Sequence, residues 1–208
     1  MAVPLYGLDI ETDTSTNGLD PAVAAVVAAG LSSAEGGDVA FTGAEATVLA
    51  DLDAHLAAMP AGVIVTWNGA AFDLPFLADR AAAHGLELGL SILWDPAIKK
   101  RRDPIPGHVG AYRARWHDHD HLDAYRAYRR LTDDPELSCA LKAVARREGF
   151  EPVEVDCEQI HALDPAQLIA YVLSDARLAR LLAARRWGEI RRFTDRHRPT
   201  SQLALTYR

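Results

Sequence analysis

Acidic residues recur in three separate segments of this chain, and they constrain its fold more than any other feature. Near the start lies Leu8-Asp9-Ile10-Glu11-Thr12. In the middle lies Trp67-Asn68-Gly69-Ala70-Ala71-Phe72-Asp73, and near the end Tyr171-Val172-Leu173-Ser174-Asp175. Carboxylates a few ångströms apart cannot all ionise unaided. A fold that gathers Asp9, Glu11, Asp73 and Asp175 therefore needs cations to cancel the repulsion. An oxygen-rich set suits Mg²⁺ or Mn²⁺. Two such ions suit a phosphoryl displacement, where they clamp the attacking and leaving oxygens. The expected cofactors are two divalent cations, Mg²⁺ or Mn²⁺.

The chain has 208 residues, 49% hydrophobic and 25% charged, which fits one domain with a real core. That domain is expected over residues 1–208, with a core at about 4–187 and a basic tail at 188–208. Cys139 and Cys157 lack C-x-x-C spacing and read as reduced, structural thiols. The start lacks the basic region of a signal peptide. The longest apolar run, residues 21–31, is too short to span a bilayer. A soluble, cytoplasmic protein with no membrane partner is the expectation. The formal net charge of −7 argues against tight, non-specific nucleic-acid binding. Arginines and lysines cluster locally, however: Lys99–Arg102, then Arg113 to Arg130, then Arg177 to Arg198. Such clusters read as solvated helix faces or as rims that hold a polyanion briefly.

Periodicity gives a coarse map. Residues 4–12 alternate apolar and polar side chains and run into a Thr/Ser/Asn/Gly loop, as a strand does. Residues 22–31 are Ala/Val-rich and read either as a strand or as a helix with Asp20 at the N-cap and Pro21 in the first turn. A short strand is expected at 38–42, a helix at 44–58, a central β-branched strand at 62–67 and a helix at 71–84. Residues 95–118, rich in Pro and Gly, read as irregular. A helix with Asp120 as N-cap is expected at 120–131, and another at 138–148, stopped by Gly149. The last helix opens at Asp164-Pro165-Ala166-Gln167, which combines an N-cap, an early Pro and a capping-box Gln, and runs beyond residue 185. Strands first and helices later predict an α/β fold with a mixed sheet.

Asp9 and Glu11, two apart on a strand, share one face of the sheet. Asp73 falls at a helix start, where an acid is also simply favourable to the dipole. Tyr171 and Asp175, at i and i+4, share a helix face.

In this order the three segments resemble the motifs of the DnaQ-like exonucleases of the ribonuclease H-like superfamily. They are most like the proofreading exonuclease domain of family B DNA polymerases. Asp9-Ile10-Glu11-Thr12 is similar to the first motif, residues 67–77 to the second, and Tyr171 to Ala176 to the third, in its tyrosine subclass. Ala170 stands where the histidine subclass has its His. The resemblance implies a mixed five-stranded sheet flanked by helices, its first three strands antiparallel, and so favours the strand at 22–31. It implies that Asp9, Glu11, Asp73 and Asp175 bind metal and that Tyr171 positions the attacking water. It also implies that Thr12, Asn68 and Phe72 contact the terminal nucleotide. The implied activity removes nucleotides from 3′ ends of single-stranded nucleic acid, DNA favoured, releasing 5′-monophosphates. A polymerase or repair partner would act in trans.

His117-Asp118-His119-Asp120-His121-Leu122-Asp123 offers a rival zinc reading, but its spacing departs from common zinc-hydrolase patterns. A structural or substrate-edge role is expected, with Asp123 facing the cleft. Trp67 and Trp94 read as buried core beside strand ends, and Phe72 as a residue that either packs or stacks on a base. A catalytically silent nucleic-acid-binding module and an RNA-trimming exoribonuclease are the other readings.

Overall fold

The structure, a computed structural model, describes residues 3–98, 104–134 and 136–195. The basic run at 99–102 and the tail beyond residue 195 lie outside the described residues.

A seven-stranded mixed sheet forms the centre. In chain order its strands are β1 (Leu5–Thr12), β2 (Val26–Ser32), β3 (Asp38–Thr42), β4 (Val63–Thr66), β5 (Leu90–Trp94), β6 (Tyr112–Trp116) and β7 (His119–Asp123). Across the sheet the order is β3-β2-β1-β4-β7-β6-β5. The first three strands are antiparallel neighbours, while β1, β4 and β7 run parallel at the centre. Helices cover both faces: α1 (Glu45–Ala58) and α2 (Asp73–Ala83) on one, α5 (Pro165–Arg185) on the other. The short helices α3 (Ala124–Leu131), α4 (Leu141–Arg147) and α6 (Trp187–Ile190) pack beside α5.

Side-chain alternation on β1 builds both layers. Tyr6, Leu8 and Ile10 enter the core with Leu49 and Leu52 of α1 and Leu74 and Leu77 of α2. Gly7 turns the other way, under α5. A Cβ at Gly7 would overlap the carbonyl oxygen of Ala176, and one at Gly30 on β2 would sit 2.7 Å from that of Val172. The two glycines let α5 lie backbone against backbone on β1 and β2. The predicted capping box is present: Asp164 accepts from the Gln167 amide at 2.9 Å, and the Gln167 side chain accepts from the Asp164 amide.

The α/β class and the mixed sheet hold, but the sheet has seven strands, not five. Of the Ala/Val-rich segment, Val26–Ser32 is a strand, and Asp20 instead receives the Ala22 amide in a turn. Wedging between β1 and β3 overrides alanine's helical preference. The expected helix at 120–131 begins later. His119–Asp123 pair in parallel with β4, so Asp123, not Asp120, caps α3, accepting from the Arg126 amide. Within the segment read as irregular, Tyr112–Trp116 pairs with both β5 and β7. β5 escaped the sequence reading because an edge strand buries too little to alternate cleanly. Trp94, on that edge, is 48% exposed rather than core. Trp67 is held as expected, its indole N–H donating to the Cys139 carbonyl.

Candidate metal centre

Asp9 and Glu11 leave β1 on the face that α5 covers, and α5 brings Asp175 to them. The three residues offer carboxylate oxygens that all lie within 4.8 Å of one another, the only such His/Cys/Asp/Glu group among the described residues. Asp9 and Glu11 are half-buried and Asp175 is buried.

Burial pushes Asp9 well above the ordinary carboxylate range, and Asp73, Glu11 and Asp175 push it further. Burial and then Asp175 raise Glu11 in the same way. Asp175 is raised by burial, against the pull of the Lys142 ammonium. Asp73, the first residue of α2, is also buried. Burial, partly offset by nearby backbone amides, lifts it to about 7. Asp73 adjoins the group electrostatically but is not one of its three converging members.

Oδ1 of Asp175 is buried and accepts no hydrogen bond from the described residues; it lies 3.2 Å from Nζ of Lys142. Three crowded carboxylates with a single ammonium beside them fit a hard divalent cation, which would hold the acids ionised.

Tyr171 is buried one turn before Asp175. Burial and the adjacent Cys157 thiol, 3.4 Å from its hydroxyl, raise its pKa, so it stays a neutral donor. Lys142 of α4 lies 3.8 Å from the Tyr171 ring centroid and donates to the Val153 carbonyl at 2.7 Å. The sequence reading missed Lys142, which lies far from every motif. The need for a positive charge beside so many acids was the available signal. Cys157, read as structural, is exposed rather than core, and Cys139 is buried.

The residues expected to touch a nucleotide differ in availability. Thr12 is buried, and its hydroxyl donates to the Gly18 carbonyl at 2.7 Å. Asn68 is exposed in left-handed backbone, with φ at 74°. Phe72 is half-buried, its ring 5.4 Å from that of Phe76. The loop after β1 is tied across the site to the 3₁₀ turn Cys157–Ala162, where Thr14 Oγ1 lies 2.8 Å from Nδ1 of His161.

The histidine cluster disperses. His117 reaches Asp53 and His119 the Leu56 carbonyl, both on α1, while His121 lies between Thr66 and Asp195. They converge on no common point, which removes support for a zinc site. Asp123 is buried and turns to backbone amides rather than to open solvent.

The chain belongs to the RNase H superfamily, whose model matches residues 8–163. Among curated relatives, the catalytic polypeptide of DNA polymerase epsilon from Schizosaccharomyces pombe is 35% identical over 126 residues, and its counterpart from Saccharomyces cerevisiae 32% over 126. Each match covers 59% of this chain and 5% of the relative, so the chain corresponds to a small part of those proteins. The family B DNA polymerase of the archaeon Pyrobaculum calidifontis shares the fold with a TM-score of 0.70 at 22% identity, over 90% of this chain and 25% of that one. The resemblance read from the three motifs is borne out.

Proposed function

We propose that this chain is a metal-dependent 3′–5′ exonuclease that hydrolyses terminal phosphodiester bonds of single-stranded nucleic acid, DNA favoured, and releases nucleoside 5′-monophosphates. The observation that carries this reading is the convergence of Asp9, Glu11 and Asp175 from one strand and one helix. The order of the motifs and the polymerase relatives support it. In this reading Asp9, Glu11 and Asp175 hold one divalent cation, and Asp9 with Asp73 a second. Bound cations would supply a nucleophilic hydroxide at neutral pH and stabilise charge on the displaced oxygen. Asp9 and Glu11 would hold them from β1. The Tyr171 hydroxyl, kept protonated, orients the attacking water. Asn68 and Phe72, at the mouth of the second motif, receive the terminal nucleotide.

The test is cleavage of 3′- and 5′-labelled single-stranded DNA and RNA with Mg²⁺, Mn²⁺ or chelator. A metal-dependent ladder shortening from the 3′ end is expected, abolished in Asp9→Ala and Asp175→Ala while circular dichroism stays native. Tyr171→Phe is expected to lower kcat by about 10²-fold, within the range for a lost proton-handling or orienting group. Full activity in either acid variant would overturn the reading. Binding of 3′ ends without turnover under any divalent ion would replace it with a binding module, and cleavage of RNA alone with a trimming exoribonuclease.

A further inference from the structure

We infer that Asp123 is a positioning residue of the site: its buried carboxylate fixes the backbone of residues 68–70 and, through it, the placement of Asn68 and Asp73. Asp123 ends β7 directly beside Thr66, the last residue of β4, from which the second-motif loop departs. One of its oxygens accepts from the Asn68 amide at 3.1 Å and from the Arg126 amide at 3.2 Å; the other accepts from the Ala70 amide at 3.3 Å. Helix capping accounts for the Arg126 bond alone. The other two reach 55 and 53 residues back along the chain, to a segment unrelated to α3.

That segment needs fixing. Asn68 holds a left-handed φ of 74°, a conformation that asparagine adopts more readily than other side-chain-bearing residues but that still has to be selected over the ordinary right-handed and extended ones. A carboxylate accepting amides on both sides of Gly69 enforces it, since charge-assisted bonds are the strong ones. The same strand grips the base of the loop as well. Nε2 of His121, two residues before Asp123, lies 2.9 Å from Thr66 Oγ1, and a Cβ at Gly69 would overlap that hydroxyl. β7 therefore holds the turn at both ends, and α2 starts with Asp73 immediately after it. Asp123 is not among the three acids that converge for metal, so it acts through the loop. The geometric claim stands without the proposed function; its effects on metal affinity and turnover rest on that reading.

The test is Asp123→Asn in the full chain. Asparagine caps helices as well as aspartate does, so α3 keeps its cap. The amide has a single acceptor oxygen, however, and its NH₂ then faces the Ala70 N–H, donor against donor. Amide hydrogen exchange followed by NMR is expected to speed up at Ala70 and not at Arg126. Mn²⁺ affinity by calorimetry, and kcat where the wild type cleaves, are expected to fall about 10–100-fold, as when support for metal ligands is removed. Unchanged Ala70 exchange with unchanged Mn²⁺ affinity overturns the inference, whatever happens to thermal stability. If the variant does not fold, the wild type decides: Asn68 and Ala70 amides that exchange as fast as unbonded loop amides overturn it, and protected ones support it. A wild type that binds Mn²⁺ but cleaves nothing sinks the proposed function alone, because amide exchange still judges Asp123.

Discussion

Asp73 shows how one carboxyl can tie stability to pH. Its folded value of about 7 lies far above the ordinary 3.8, with burial as the first cause. The folded protein therefore holds this proton more tightly than the unfolded chain does. The stability it contributes is complete below about pH 4 and is lost as pH rises through about 7. In chelator, Asp73→Asn, which cannot ionise, is expected to gain Tm relative to the wild type as pH rises from 4 to 8. A difference between the two proteins that does not change with pH would show that Asp73 does not titrate in this window. The convergence of Asp9, Glu11 and Asp175 was legible in the sequence because strand period puts the first two on one face and the motif order brings the third. Lys142 was not, because its contact with the site runs between segments that only the fold brings together, and for Asp123 a place near the cleft was read but not its bonds to residues 68 and 70. Thr12 was marked by motif position alone; in the fold its hydroxyl donates to the Gly18 carbonyl of its own loop.

At the level of elements, the contact of α5 with β1 and β2 decides whether the acids meet at all. Gly7→Ala would drive a methyl group into the Ala176 carbonyl. The expected cost is about 3 kcal/mol or more, at the upper end for overpacking, with a fall in divalent affinity because α5 carries Asp175. Gly188→Ala meets nothing within 4 Å and should change stability by no more than about 0.5 kcal/mol. Denaturant unfolding of both variants checks the pair, and equal losses would sink the argument. Elements with their own local signal were readable in advance: α5 through its capping box, β4 through its β-branched run. β7 was misread as the start of a helix because its histidines and acids hide the strand. Only its pairing with β4 and its seat beside the Leu56 carbonyl explain why such polar residues lie inside.

Over the whole molecule, charge is divided unevenly. The first 79 residues hold eleven Asp and Glu and no Lys or Arg, and all 22 basic residues lie from Arg80 onward. The strand that carries Asp9 and Glu11 thus belongs to the acidic part of the chain. At a metal concentration about 100 times Kd, mass action adds about 2.7 kcal/mol. For a chain of this length that corresponds to a rise of about 5–10 °C in Tm. Mg²⁺ or Mn²⁺ should produce this rise in the wild type and not in Asp9→Ala, and NaCl at matched ionic strength should produce it in neither. An equal rise in both proteins would place the bound ions elsewhere. The glycine seam under α5 also bears on how such a chain can change over time. The distance between the acids of β1 and Asp175 depends on a seam where the main chain of α5 comes close to that of β1 and β2. Side-chain substitutions at those two positions would therefore move the helix that carries Asp175, whereas elsewhere in the interior a change of volume can be taken up by neighbouring side chains.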